Sequence, residues 1–260
     1  MMRNAGLKNN NTICYLNSLI QSLLSCEKFV KVIKNNRDEY VKNENIIGVL
    51  FYNMIQKIEN NIDIEKDNFT LSLKLGFSGQ NCSHDALVKI VDILKMEKNF
   101  NIKYEKSIFC TKCADMTRQT TNDMITYELF PEQEKKKDFE KIINRELETL
   151  NDYTCDKCKQ KATQITIHDL IGTNDIFVIM FNQYNEKSIH KYDNVINLCS
   201  YKYKLVAKIN HIGCLNRGHY WMIKYINSKK YIINDDDIRE IGDENMDKYT
   251  YMLFYEKIKE

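Results

Sequence analysis

The first hundred residues place apolar side chains at the three- and four-residue steps of an α-helix. A polar, asparagine-rich stretch begins at Gly6, and the helical pattern takes over near Cys14 and runs to Cys26. Two more helices are predicted over 43–61 and 83–96, the latter with Ser83 as its N-cap and Asp85 in its first turn. The positions expected to face the interior are Leu16, Leu19, Ile20, Leu23, Leu24, Ile46, Ile47, Leu50, Met54, Ile58, Leu87, Ile90, Val91 and Leu94.

Near Asn101 the period changes from helical to alternating, which is typical of strands. Eight strands are predicted, over 101–109, 123–130, 162–170, 174–184, 203–212, 219–226, 230–235 and 249–257. One helix is predicted among them, over 138–150, after a charged run at 134–137 that suits a solvated loop better than a binding segment. A helical front half followed by a mostly antiparallel sheet predicts the α+β class.

Composition, net charge and cysteine content limit the functional classes to which this protein can belong. The chain has 260 residues, of which 43% are hydrophobic, so it can form one large domain or two closely packed ones. Its net charge of +2 gives no reason to expect nucleic-acid or membrane binding, and no signal peptide or membrane-spanning segment is recognised. Nine cysteines without a secretory signal predict a reducing, intracellular location, with metal-binding or catalytic uses before disulfides.

Four of these cysteines form two CxxC pairs, each expected in a tight turn after a strand. The 41 residues at positions 114–154 separate the pairs. Four thiolates make a closed tetrahedral set that suits one structural zinc ion. Four free cysteines or a redox pair are the alternatives, and the duplicated motif disfavours both. The predicted zinc ligands are Cys110, Cys113, Cys155 and Cys158.

Cys14 is a candidate nucleophile because it lies where the polar loop becomes the first helix. Free backbone N–H groups and the helix dipole favour a thiolate at that point. Asn9, five residues upstream, is close enough for its amide to donate to an oxygen beside the sulfur, as an oxyanion donor must. A small buried cysteine in front of a leucine-rich helix is the plain alternative.

The partner of such a nucleophile is predicted to be His219. Gly218 precedes it and would let a substrate backbone pass close by. A hairpin turn at Asn227 and Ser228 would bring Asn234 opposite or nearly opposite His219. An amide that holds one ring nitrogen leaves the other for the thiol, as in a Cys-His-Asn triad. A structural histidine remains the alternative, and Asp235, on the other face by alternation, is the lesser orienting candidate.

These pieces resemble the ubiquitin-specific protease family of deubiquitinating enzymes. The segment GLKNNNTICYLNSLIQSL resembles its cysteine box, GLxNxGNTCYxNSxLQxL, and NHIGCLNRGHYWMIKY with YIINDDDI resembles its histidine box. QNCSHDALVKIVDIL resembles the helix QxDAxEFLxxLLDxL, YTCDKCKQKAT the second zinc knuckle, and YTYMLFYEK the C-terminal strand. The motifs occur in the family's order and span Gly6 to Tyr255.

The resemblance implies a papain-like cysteine peptidase with a helical thumb at about 1–102, zinc-bearing β fingers at about 103–166 and a β palm at about 167–260. It implies that Cys14 is the nucleophile, His219 the general base and acid, Asn234 the orienting residue and Asn9 an oxyanion donor. The implied activity is hydrolysis of the bond after the C-terminal glycine of ubiquitin. The residues that would meet the substrate are Gln80, Asp85, Gly218 and Tyr225.

Several positions depart from the family pattern. Asn11 replaces a glycine, Ile13 a threonine and Ala86 a phenylalanine, while Cys82 stands where the family has an aspartate that meets arginines of the ubiquitin tail. The expected partner is ubiquitin or a ubiquitinated protein, bound by a monomer. A protease for another ubiquitin-like modifier and a catalytically weak ubiquitin-binding scaffold remain alternatives. A zinc-ribbon nucleic-acid binder is disfavoured because no basic aromatic face is present.

Overall fold

A computed structural model describes residues 4–9, 12–77, 79–129, 139–182, 192–214, 217–242 and 247–258. The charged run at 134–137 lies outside these ranges. The helices are α1 (Cys14–Ser25), α2 (Glu27–Asn35), α3 (Arg37–Lys42), α4 (Ile46–Glu59), α5 (Asp67–Leu75), α6 (Ser83–Leu94), α7 (Glu97–Phe100) and α8 (Phe139–Asn144). The three predicted helices of the front half are α1, α4 and α6, so that part of the prediction is confirmed.

Local sequence explains how several helices begin and end. The Asn45 side chain accepts a hydrogen bond from the backbone N–H of Gly48 and so caps α4. Gly76, at a φ of 69°, ends α5 in the left-handed conformation that glycine adopts most easily. The predicted N-cap of α6 is wrong by one residue: the Cys82 sulfur caps this helix, and the Ser83 hydroxyl instead donates to the Tyr15 carbonyl oxygen.

The strands form two sheets. They are β1 (Ile102–Cys110), β2 (Met116–Met124), β3 (Tyr127–Leu129), β4 (Arg145–Thr154), β5 (Lys161–Gly172), β6 (Ile176–Phe181), β7 (Val195–Leu198), β8 (Tyr201–Cys214), β9 (Arg217–Ile226), β10 (Lys229–Asn234), β11 (Asp237–Ile241) and β12 (Thr250–Lys257). The smaller sheet has the order β2-β1-β5-β4. The larger has the order β11-β10-β9-β8-β12-β6-β3, and β7 pairs with β8. Only the short β3–β6 pairing among the described strands is parallel, which confirms a mostly antiparallel α+β fold.

The sequence pattern missed four strands and misread one segment. β2, β4, β7 and β11 were not predicted, and the helix expected over 138–150 ends at Asn144. The rest of that segment is β4, which pairs with β5 from Arg145 opposite Asp169 onward. Arg145 Nε also donates to Asp169 Oδ1 at 2.5 Å. Strand pairing over a whole edge therefore outweighs the local helical preference of this charged segment.

Two hydrophobic cores hold these layers together. The first joins α1 to the other front helices and to one face of the larger sheet. All twelve residues of α1 are buried, as expected for a helix enclosed on every side. The second core lies between the two sheets and includes Tyr104, Tyr127 and Leu253. One expected core position is wrong: Ile46 begins α4 at its solvent side and is 48% exposed. The packing of α1 against β9 and β10 sets the geometry of the candidate site.

Candidate active site

Cys14 is the first residue of α1 and is only 2% exposed, which confirms its predicted place at the loop-to-helix junction. No side chain caps this helix end at Ile13. The first backbone N–H groups of a helix have no carbonyl partner within it, so they remain available to stabilise negative charge near the sulfur. The Ile13 N–H instead donates to Asn9 Oδ1 at 3.1 Å, which holds the preceding loop against the helix.

His219 and Asn234 come together through the β9–β10 hairpin. Asn227 and Ser228 form its turn with φ values of 46° and 66°, as a two-residue turn with two left-handed positions requires. The register pairs Ile233 with Met222, so Asn234 follows on the diagonal of His219 rather than directly opposite it. His219 Nε2 and Asn234 Oδ1 are 2.6 Å apart, which leaves the other ring nitrogen for Cys14.

Electrostatics favour a charged imidazole. A hydrogen bond with the Cys14 side chain raises the pKa of His219 from 6.5 to about 9, against the opposing effect of burial, and the Asn234 bond adds to the rise. The interactions that favour the imidazolium are complete below pH 6.5 and are lost as pH rises through about 9. A charged His219 places a cation beside the Cys14 sulfur, which is the pairing that activates a cysteine nucleophile.

The raised pKa of His219 predicts how alkylation of Cys14 depends on pH. While His219 is charged, Cys14 should react with iodoacetamide faster than an ordinary cysteine does. This difference should disappear above about pH 9, where His219 loses its proton. Asn234→Ala should move that limb to lower pH, because the Asn234 bond raises the pKa of His219. Mass spectrometry of the Cys14 peptide, alkylated at values from about pH 5 to about pH 11, gives both profiles. An unchanged limb in Asn234→Ala would contradict the orienting role of Asn234.

Asp235 makes more contacts around the site than the sequence analysis predicted. It follows β10 at a φ of 56°, and its carboxylate accepts from Asn9 Nδ2 at 3.0 Å and from Asn17 Nδ2 at 2.7 Å. Its carbonyl oxygen accepts from the Leu7 N–H at 3.0 Å. Asp235 thus ties the loop before Cys14 to the strand that positions His219, and it does not orient the imidazole directly.

A buried amide network extends this link into the helices. Asn68 Nδ2 donates to Asn17 Oδ1 at 2.6 Å and to the Lys8 carbonyl oxygen at 2.6 Å. Asn17 and Asn68 are 2% and 0% exposed. The sequence could have indicated the importance of Asn17, because a polar residue inside an apolar helix must find a hydrogen-bond partner when it is buried. Asn9 donates one amide hydrogen to Asp235, which fixes its side chain in the loop before Cys14.

The residues expected to meet the substrate do not all gather at the cleft. The Gln80 amide donates to the Gly218 carbonyl oxygen across the space between α6 and β9. A Cβ atom at Gly218 would collide with His211 Nε2, which explains the glycine there. The Asp85 side chain is 71% exposed in the first turn of α6, with an oxygen 3.7 Å from His84 Nδ1.

Tyr225 lies at the far end of β9 from His219. It lies six residues after His219 on β9, about 20 Å along the strand, because each strand residue advances about 3.3 Å. It packs against the second core and lines a cavity of about 390 Å³ beside the Asn227–Ser228 turn. Tyr225 therefore lies away from Cys14 along the strand, and its contact with a substrate stays a prediction.

Cys82, the departure from the family helix, faces the larger sheet. Its sulfur lies 2.8 Å from the Tyr251 hydroxyl on β12 and accepts from the His84 N–H at 3.3 Å. Tyr251 in turn packs edge-on against Tyr220, the neighbour of His219. Cys82 is therefore linked through Tyr251 to the face of the larger sheet that carries Tyr220.

The four predicted metal ligands form one cluster at the end of the smaller sheet. The sulfur atoms of Cys110, Cys113, Cys155 and Cys158 lie within 4.8 Å of one another. Cys113 Sγ and Cys155 Sγ are 3.8 Å apart, and a tetrahedron with zinc–sulfur bonds of about 2.3 Å has edges of about 3.8 Å. Backbone N–H groups of Cys158 and Lys157 lower the pKa of Cys155 to about 7, which favours a ligating thiolate. The cluster fits a metal ion.

Comparisons with known proteins agree with this geometry. Residues 5–255 match the sequence profile of a family described as ubiquitin carboxyl-terminal hydrolase. The probable ubiquitin carboxyl-terminal hydrolase R319 of Acanthamoeba polyphaga mimivirus is 30% identical over 131 residues, which are 42% of this chain and 28% of that protein. The ubiquitin carboxyl-terminal hydrolase cyk-3 of Caenorhabditis elegans is 39% identical over 57 residues, 21% of this chain and 5% of that protein. The matches thus span 28% or less of these curated relatives.

Solved structures with the same fold were also found. The SAGA DUB module Ubp8/Sgf11/Sus1/Sgf73 bound to monoubiquitin contains a chain that superposes with a TM-score of 0.80 at 18% identity, covering 98% of this chain and 69% of its own. The same module bound to ubiquitin aldehyde gives a TM-score of 0.79, covering 98% and 70%. Among the described helices, none combines the length and the apolar character that a membrane span requires.

Proposed function

Since the chain belongs to the ubiquitin carboxyl-terminal hydrolase family, we propose that it is a cysteine deubiquitinase. It hydrolyses the isopeptide or peptide bond after the C-terminal glycine of ubiquitin. The hydrogen-bonded row of Cys14, His219 and Asn234, with 2.6 Å between His219 Nε2 and Asn234 Oδ1, is the observation that supports this activity most directly. Ubiquitin is present in the structures of two neighbours with the same fold.

Acyl transfer to Cys14 is the first half of the reaction. The thiolate attacks the carbonyl carbon of the terminal glycine, and the oxygen that becomes negative is met by the second Asn9 amide hydrogen and the Cys14 N–H. The imidazolium of His219 gives its proton to the leaving amine, the C–N bond breaks, and a thioester forms. Asn234 keeps the ring in plane throughout.

Hydrolysis of the thioester is the second half. His219, now neutral, takes a proton from a water molecule whose oxygen attacks the thioester carbonyl. The C–S bond breaks, the released ubiquitin carboxyl group loses its remaining proton to solvent, and the Cys14 thiolate and His219 imidazolium are restored. Asp235 serves both halves, because its carboxylate holds Asn9 and Asn17 in place.

Covalent labelling tests the activity and the substrate class together. The purified chain is incubated with ubiquitin that has a C-terminal electrophile, and intact mass reports the adduct. Matched probes built on other ubiquitin-like modifiers form the control series. We expect a single adduct with the ubiquitin probe, at Cys14. An adduct with another modifier alone would keep the chemistry and replace the substrate, and ubiquitin binding without any adduct would indicate an inactive scaffold.

A protease for another ubiquitin-like modifier is the second candidate, and Cys82 favours it. A sulfur at this position gives no charge to the arginines of a ubiquitin tail. Cys82→Asp should raise kcat/KM for ubiquitin substrates by about two- to fivefold, because an exposed charge pair is worth roughly 0.2–1 kcal/mol. Aspartate is also a good N-cap, so α6 should persist. Cys82→Ser keeps a polar atom without charge and is the control; equal kinetics in the two variants would count against the tail contact.

We assign one structural zinc ion to the four-cysteine cluster. Cys110, Cys113, Cys155 and Cys158 would hold it as thiolates, and their closed set leaves no position for a reacting water. The ion would join the β1–β2 turn to the β4–β5 turn. Its contribution is to the folding of the smaller sheet and not to the reaction.

Metal analysis checks this assignment. The purified chain should contain about one zinc ion, and Cys155→Ser should lose most of it and melt at lower temperature, since zinc binding contributes folding free energy. Cys199→Ser, which removes a thiol outside the cluster, should keep both metal content and melting temperature. Unchanged zinc in Cys155→Ser would rule out this ligand set.

The parts of the fold have distinct proposed roles. The helical front half is the thumb, the smaller sheet forms the fingers, and the larger sheet is the palm, with the ubiquitin tail between α6 and β9. We propose that the chain acts as a monomer in a reducing intracellular compartment. All nine cysteines, each within the described ranges, are free thiols, which agrees with such a compartment.

A further inference from the structure

Three polar side chains lie side by side on adjacent strands of the larger sheet, outside the machinery described so far. Trp221 on β9 is the cross-strand partner of Asn210 on β8, and Asn210 is the partner of Thr250 on β12. Directly opposite residues share one face of a sheet and have Cβ atoms roughly 4.5–5.5 Å apart. Asn210 and Thr250 are 0% and 2% exposed. The row is therefore polar and close together; Asn210 and Thr250 are buried, and the Nε1 atom of the partly buried Trp221 is buried with them.

Four side-chain atoms of this row have no hydrogen-bond partner within the part of the chain that the structure describes. They are Asn210 Oδ1, Asn210 Nδ2, Thr250 Oγ1 and Trp221 Nε1. Buried polar groups in folded proteins nearly always find a partner, because an unmatched one costs most of its desolvation free energy. Four such atoms in one place indicate a common missing partner.

The backbone beside the row is irregular. The pairing of β12 with β8 shifts between Thr250 and Met252, so that Tyr251 is an extra residue in the ladder. A bulge of this kind disrupts the ladder and increases the local twist. Asn210 lies directly at this shift, so the ladder beside its side chain is not regular.

The row also touches the catalytic histidine. Trp221 follows His219 by two residues on the same face of β9, and the two rings stack with 6.2 Å between centroids and 17° between planes. Tyr249 packs against the indole from another side, with 5.5 Å between centroids at 62°. The orientation of the indole therefore sets one wall of the space in which the imidazole can move.

We propose that Asn210, Thr250 and Trp221 bind at least one buried water molecule that fixes the indole against His219, which makes all three positioning residues. Trp221 Nε1 and Asn210 Nδ2 require an acceptor, whereas Asn210 Oδ1 requires a donor. Water meets both demands and needs only two to four polar partners in a buried site. A cation would face two N–H groups and is disfavoured.

The water site is independent of the proposed deubiquitinase activity, and its role in positioning rests on the catalytic pair alone. The tests therefore use no ubiquitin, so a wrong substrate class would leave them intact. A high-resolution crystal structure should show a water within about 3.2 Å of Trp221 Nε1 and of Asn210 or Thr250. A dry site there would overturn the proposal.

Thermal melting of threonine variants tests the bound state in solution. Thr250→Val removes only the hydroxyl and should lower the melting temperature by about 2–4 °C if a water bonds to it. Thr250→Ser restores the hydroxyl and should recover most of the loss. A Thr250→Val protein that melts at or above the wild-type temperature would overturn the proposal, because removal of an unmatched buried hydroxyl is neutral or stabilising.

The pH profile of Cys14 alkylation tests the positioning role. Trp221→Phe keeps an aromatic ring beside His219 but loses the indole N–H. In Trp221→Phe and in Thr250→Val, the pH above which alkylation loses its enhancement should fall by about half a unit. A less firmly held imidazole forms weaker hydrogen bonds with its partners, so its pKa rises less. Thr250→Ser should keep the wild-type limb. A lower melting temperature with an unmoved limb in both variants would overturn the positioning role.

Discussion

Replacement of Cys14 by alanine is expected to abolish hydrolysis, with a loss of about 10⁴-fold or more, because the acyl-enzyme is proposed to form on its sulfur. The fold should persist, since one buried sulfur is removed from a helix end and alanine is a good helix former. Turnover of a ubiquitin C-terminal amide and intact mass after probe labelling measure the effect. Circular dichroism and thermal melting check the fold.

Cys214→Ala is the matched control for this variant. Cys214 is an exposed thiol at the tip of the β8–β9 hairpin, and its removal should leave turnover within about twofold. Loss of labelling in both variants would point to a general effect on the protein and not to the nucleophile. Wild-type turnover by highly purified Cys14→Ala would remove Cys14 from the mechanism.

Asp235→Asn has the second-largest expected effect, a loss of about 10²-fold in turnover. An amide has one acceptor oxygen where the carboxylate offers two, so Asn9 or Asn17 loses its partner and the oxyanion donor is no longer fixed. Asparagine tolerates the φ of 56° at this position, so the backbone should not change. Rates are measured well below the melting temperature, to separate catalysis from stability.

Asp237→Asn is the control for Asp235→Asn, because it removes the same charge from an exposed neighbour two residues away. Its turnover should remain close to that of the wild type. The loss in Asp235→Asn should appear in kcat more than in KM, since Asn9 is proposed to act on the transition state. Equal turnover in the two variants would show that the link from Asp235 to Asn9 has no role in the reaction.

The sequence by itself determined the parts of this protein that depend on local chemistry. Apolar spacing specified α1, α4 and α6, because a helix brings residues three and four apart to one face. The Asn227–Ser228 turn followed from residues that accept a positive φ, and that turn brought Asn234 to His219 within one diagonal step. The spacing of the two CxxC pairs likewise predicted one shared metal site.

Only the tertiary structure decided what depends on partners distant in sequence. Asp235 meets Asn9 across 226 residues, so no local pattern could reveal that bond. β4 became a strand because β5 supplied a pairing edge that outweighs helix propensity.

The place of Tyr225 has a related reason: alternation gives the face of a strand, but position along the strand decides which residues lie near His219. Only the register of three strands brings Asn210, Thr250 and Trp221 side by side. Local sequence thus specifies the conformation of each segment, whereas the pairing of distant segments specifies which side chains can act together.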